Sequence, residues 1–105
     1  MAERKIIKEL GQFKRTLRKE VDVSTMILFG SRAWGKPHRD SDVDLLIVSS
    51  MFRRRRLLKR GINLYQHWNL DYPVDFLCYT PEEFEKKKKQ IGIVRQAVEE
   101  GIEIT

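Results

Sequence analysis

Apolar residues of the first segment, Glu3 to Glu20, recur at three- and four-residue steps as Ile6, Ile7, Leu10, Phe13 and Leu17, which predicts an amphipathic helix with its charged residues in water. The period then changes. Thr25 to Phe29 (TMILF) is short, continuous and apolar, the pattern of a buried strand, and Gly30 ends it. Ser31 to Trp34 can form one helical turn before Lys36-Pro37, where proline disfavours helix in its predecessor, and a polar loop reaches Ser41. Asp42 to Val48 reads as a second strand, and alternation sets Asp42, Asp44, Leu46 and Val48 on one face against Val43, Leu45 and Ile47.

Phe52, Leu57, Leu58, Ile62, Tyr65 and Trp68 repeat at helical spacing among basic residues, with Gly61 as a weak point, so a helix is expected over 52–68. Asn69 to Pro73 is turn chemistry. Val74 to Tyr79 is a third strand, with Asp75, Leu77 and Tyr79 on one face. Thr80-Pro81-Glu82-Glu83 is a capping box with proline at the first helical position, and the helix it opens runs to Glu100 with an interruption near Gly92. Gly101 caps it and Ile102 to Ile104 is a short last strand. The order α-β-(turn)-β-α-β-α-β predicts an α/β fold: one domain over residues 1–105, a mixed sheet of about four strands packed with helices.

With 105 residues the chain can bury a core but has no second domain to grip a large substrate. Its net charge of +6 is spread over both halves and favours polyanionic partners: nucleotides, nucleic acid or an acidic protein. The lone Cys78 excludes an internal disulfide and a cysteine-based zinc site, and fits a reducing cytosol. No apolar run approaches the ~20 residues of a membrane span, and the charged start MAERKIIKEL lacks a signal-peptide core, so the expected location is the cytoplasm and no membrane is involved.

Chemistry concentrates between Thr25 and Val48. Asp42 and Asp44, roughly 6.5 Å apart along a strand face, repel each other unless a cation neutralises them. Carboxylates without nearby Cys or His suit a hard ion such as Mg²⁺. Asp75 supplies a third acid from a strand that can pair with 42–48, and three acids can hold two ions that clamp an in-line phosphoryl displacement. Gly30 permits close backbone approach. The amides of Ser31 and Arg32 and the Ser31 hydroxyl can bind the terminal phosphates of a nucleoside triphosphate. Gly30 to Lys36 also matches the front of a P-loop, but Pro37 stands where a magnesium-binding hydroxyl and a helix are needed.

Gly30-Ser31, ten residues, Asp42-Val43-Asp44 and a third acid in the apolar strand Val74-Asp75-Phe76 together resemble the nucleotidyltransferase superfamily of the polymerase β type. More narrowly, the chain resembles the minimal nucleotidyltransferases, short antitoxin partners of HEPN-domain toxins, over residues 3–105. The resemblance implies the polymerase β-like fold and transfer of a nucleotidyl group to an acceptor hydroxyl. Asp42 and Asp44 would be Mg²⁺ ligands, Asp75 the third ligand or the acceptor's base, and Gly30, Ser31 and Arg32 triphosphate binders. For the antitoxin branch it implies AMP transfer from ATP to a tyrosine of a HEPN-type toxin, silencing its RNase activity.

Two other classes stay open: a non-catalytic antitoxin that neutralises by contact, and a basic nucleic-acid-binding module. A homodimer or hetero-oligomer is compatible with so short a domain. Arg53 to Arg56 with Lys59 and Arg60 reads mainly as a solvated face, with an acidic-partner or RNA surface as the sharper alternative. Lys86 to Lys89 reads as solvated through i,i+4 pairs Glu82-Lys86, Glu83-Lys87 and Glu85-Lys89. His38 and His67 lack a metal-ligand pattern. Trp34 either packs beneath the motif loop or stacks on a base, and Ser41 bonds a backbone group or a phosphate.

Overall fold

A computed structural model describes residues 3–34, 42–56 and 59–105. The readings on Lys36, Pro37, His38, Ser41, Leu57, Leu58 and the side chain of Trp34 lie outside the described residues. Helix α1 spans Arg4–Leu17 and buries Ile6, Leu10, Phe13 and Leu17. Its charged face is not wholly in water: Lys14 is buried and its Nζ donates to the Ile104 carbonyl at 2.8 Å, tying α1 to the chain's end. That position follows Phe13 on the buried stripe, so the lysine's aliphatic stem packs while its ammonium finds an acceptor.

Strand β1 (Val23–Phe29) starts earlier than TMILF because a register shift between Val23 and Thr25 returns Val23 to the face of Met26 and Leu28. The turn Ser31–Trp34 (α2) is helical as expected. Strand β2 (Val43–Ser49) runs antiparallel to β1, and β3 (Val74–Tyr79) lies parallel to β2. A two-residue β4 (Ile102–Glu103) pairs antiparallel with β1, giving the sheet order β3-β2-β1-β4. The α/β expectation of a four-stranded mixed sheet packed with helices holds.

The helix expected over 52–68 is replaced by a 3₁₀ helix, Ser50–Arg54, and a four-residue α3, Ile62–Tyr65. The Ser49 hydroxyl accepts from the Met51 amide, starting a tight turn. Four successive arginines then offer no apolar side chain to a buried helix face. The Arg55 carbonyl is used by the Arg60 guanidinium, and Gly61 lies against Phe76. The long C-terminal helix is likewise two: α4 (Pro81–Lys87), opened by the full Thr80–Glu83 capping box, and α5 (Ile93–Glu100). The i,i+4 pairs foreseen on α4 are not those formed. Glu82 binds Arg53, Glu83 binds Arg60, and Glu85 binds Lys88.

The strand parity is as the alternation required. Met26, Leu28, Val43, Leu45, Ile47 and Val74 pack with α1 on one face, and Trp68 and Phe76 adjoin that core. Ile27, Leu46, Val48 and Tyr79 meet Val94 and Ala97 of α5 on the other. Each such fully buried aliphatic contributes about 1.5–3 kcal/mol relative to exposure. No helix among the described residues is long and apolar enough to cross a membrane.

Candidate active site

The second face of the sheet is apolar along most of its length and acidic at one end. Register explains the acids. Phe29 of β1 is opposite Asp44 of β2, and Asp44 is opposite Asp75 of β3, so the two carboxylates occupy neighbouring positions on one face. Asp42, exposed, immediately precedes β2 at the same end.

Gly30 follows Phe29 with a φ of +76°, a left-handed conformation that turns the chain out of the sheet and into α2. A β-carbon there would collide with the Asp44 carboxylate, its Oδ2 first and its Cγ at 3.3 Å. The glycine therefore serves twice, by its backbone angle and by the room it leaves for Asp44. Ser31 is exposed beside it.

These groups border a cavity of about 710 Å³. Gly30, Ser31, Asp44 and Asp75 form its polar end, Phe29 and Leu77 its floor, and Gln96 and Glu100 of α5 part of the opposite wall. The volume is within the range of small-molecule sites. Of the residues singled out in the sequence, Gly30, Ser31, Asp44 and Asp75 are thus gathered on one cavity. Arg32, next to Ser31 in α2, is not among the residues that line it: it is buried, with its guanidinium 4.7 Å from the centre of the Tyr72 ring. Tyr72 in turn donates to Glu9 of α1 at 3.0 Å.

Sequence reading missed the α5 wall. Its signal was faint, a Gln96–Glu100 pair at i,i+4 whose amide donates to the carboxylate at 3.1 Å. Nothing in the sequence said that this side of α5 would stand over the acids. Gly101 brings it there: a β-carbon at that glycine would lie 2.6 Å from Ile27 Cγ2 and 2.8 Å from the Leu28 carbonyl, so the helix end closes directly onto β1.

Burial raises the Asp44 carboxyl above its usual 3.8, and the negative charges of Asp75 and Asp42 raise it further. The three acids therefore share one electrostatic field, and a divalent cation would relieve their repulsion. Their oxygen-only donor chemistry fits a hard cation of the magnesium class. Among the described residues, no three His, Cys, Asp or Glu side chains are gathered as a ready-made metal cage. The closer association that register supplies is the pair Asp44 and Asp75, with Asp42 contributing charge.

The family profile described as a nucleotidyltransferase domain matches residues 5–104, nearly the whole chain. The chain belongs to that family. A solved structure from Sulfolobus solfataricus, described as a candidate nucleotidyltransferase, is similar to this nucleotidyltransferase domain with a TM-score of 0.62 and 19% identity. The likeness covers 78% of this chain and 73% of that one, and bears on the fold alone. No curated protein matches the chain.

Proposed function

We propose that this nucleotidyltransferase domain transfers a nucleotidyl group from a nucleoside triphosphate, ATP being the expected donor, to a hydroxyl acceptor in a magnesium-dependent reaction. The observation that carries the reading is the cavity on which Asp44 and Asp75, in register on adjacent strands, face the Gly30–Ser31 turn. Asp42, Asp44 and Asp75 would hold Mg²⁺, which when bound supplies charge neutralisation at the transferring phosphoryl group. Ser31 and the turn at Gly30 receive the phosphate end, and the apolar floor of Phe29 and Leu77 accommodates the nucleoside. Asp75, exposed on the outer strand, would serve either as the third of these ligands or as the base that takes the proton of an incoming hydroxyl.

The narrower reading is an antitoxin that moves AMP from ATP to a tyrosine of a HEPN-type toxin. Its support is the spacing Gly30-Ser31, ten residues, Asp42-x-Asp44 with a third acid at Asp75. Purified protein incubated with α-phosphate-labelled ATP, Mg²⁺ and the product of the neighbouring gene should label that partner, and Asp44→Asn should abolish the label. Labelling that persists in Asp44→Asn would contradict the site. Labelling of another acceptor, with the neighbour unlabelled, would contradict the antitoxin reading and leave the transferase standing.

A further inference from the structure

The arginine-rich segment is sorted by the fold into two sets. Arg53 forms a bidentate pair with Glu82 through Nε at 2.6 Å and Nη2 at 2.7 Å. Buried Arg60 binds Glu83 and donates to the carbonyls of Arg55 and Cys78. These two bind the segment to α4 and β3. The four cations between them, Arg54, Arg55, Arg56 and Lys59, instead line a cleft of about 460 Å³ with Ile62 and Asn63, and among the described residues no carboxylate lines it. Ile62 also borders a second groove, of about 310 Å³, which follows β3 past Tyr65 to Leu77. Ile62 and Tyr65 are exposed, at 61% and 48%.

We propose that the cleft is a binding site for single-stranded nucleic acid, separate from the acidic cavity. Four like charges around one concavity repel each other until an anion enters, and three of them are guanidinium forks suited to phosphate oxygens. One isolated anion would leave the adjoining groove without a role. A strand with its phosphates on the arginines extends along that groove, where Ile62 and Tyr65 offer apolar and aromatic surface to its bases. An acidic protein segment would satisfy the charges but has no use for a base-stacking ring beside them. The site needs no nucleotidyl transfer and stands apart from the reading of Asp44 and Asp75.

The test is fluorescence anisotropy of a short labelled oligouridylate across a salt series. Arg54→Gln/Arg55→Gln/Arg56→Gln removes three exposed charges from the cleft. Lys86→Gln/Lys87→Gln/Lys89→Gln removes the same charge from α4 and the turn after it. The cleft variant should bind about tenfold more weakly, with the slope of log K against log salt reduced by about 2, while the lysine variant and Asp44→Asn bind as the parent does. Equal loss in both triple variants would reduce the effect to net charge and overturn the site. Displacement of the oligonucleotide by polyglutamate at equal charge would overturn the assignment to nucleic acid, and so would a parent protein that shows no binding.

Discussion

Gly30 and Asp44 compete for the same few ångströms, and the site depends on the glycine yielding. Gly30→Ala forces a side chain into a left-handed backbone angle, at about 1–2 kcal/mol, and pushes the Asp44 carboxylate from its place. Thermal melting should show that loss as a fall of several degrees, and nucleotidyl transfer should fall by more than the loss of folded protein explains. Asp44 carries the opposite sign. Because its folded carboxyl holds a proton more tightly than the unfolded chain's usual 3.8, the ionised form destabilises the fold at neutral pH, and the penalty fades as pH falls through the raised value. Without divalent cation, Asp44→Asn should therefore melt at a higher temperature than the parent at neutral pH, the gain shrinking towards acid. A lower melting temperature across the whole range would contradict this account of the acids. Cys78, with burial pushing its thiol up to about 12, should resist thiol reagents until the protein unfolds.

At the scale of elements, α4 and β3 are held by one cation. Arg60 joins the Arg55 and Cys78 carbonyls to Glu83, and the same glutamate closes the capping box at Thr80. Arg60→Ala should cost about 2 kcal/mol, on the order of 10 °C in melting temperature, by leaving those partners unsatisfied. Hydrogen bonding to Arg60 holds the Glu83 carboxyl below its usual 4.5, offset in part by burial. Its contribution is present above that value and lost as pH falls through the depressed one, so the gap between Arg60→Ala and the parent should narrow in acid denaturation series. At the outer edge of β3, the Tyr65 hydroxyl donates to the Val74 carbonyl at 3.2 Å, and Arg60 covers that of Cys78, which blunts an open strand edge.

These elements also show what was legible in the sequence. The strands could be read because a period of two leaves little choice: Leu45 and Ile47 must share a face, and Asp44 must take the other. The segment 52–68 could not, because its helical spacing was broken by arginines whose partners lie far along the chain, Glu82 at 29 residues from Arg53 and Glu83 at 23 from Arg60. The acids and the Gly30–Ser31 turn were legible through local spacing. The α5 wall was not, since its position follows from the close packing of Gly101 on Ile27 and Leu28, and neither was the buried place of Arg32 beside Tyr72, which tertiary structure sets.

Taken whole, the molecule separates its charges. Asp42, Asp44 and Asp75 stand at one end of a sheet face, and Arg54, Arg55, Arg56 and Lys59 line a separate cleft. The proposed reaction requires a cation and a polyphosphate to enter the acidic end together. The direct measurement is the melting temperature with ATP, with Mg²⁺ and with both, for the parent and for Asp44→Asn. At ligand concentrations about a hundredfold above Kd the parent should gain about 2.7 kcal/mol, or roughly 10–20 °C, from the pair and much less from either alone. Asp44→Asn should gain nothing from the pair. An equal rise in both proteins, or no rise in either, would contradict a nucleotide site built on Asp44.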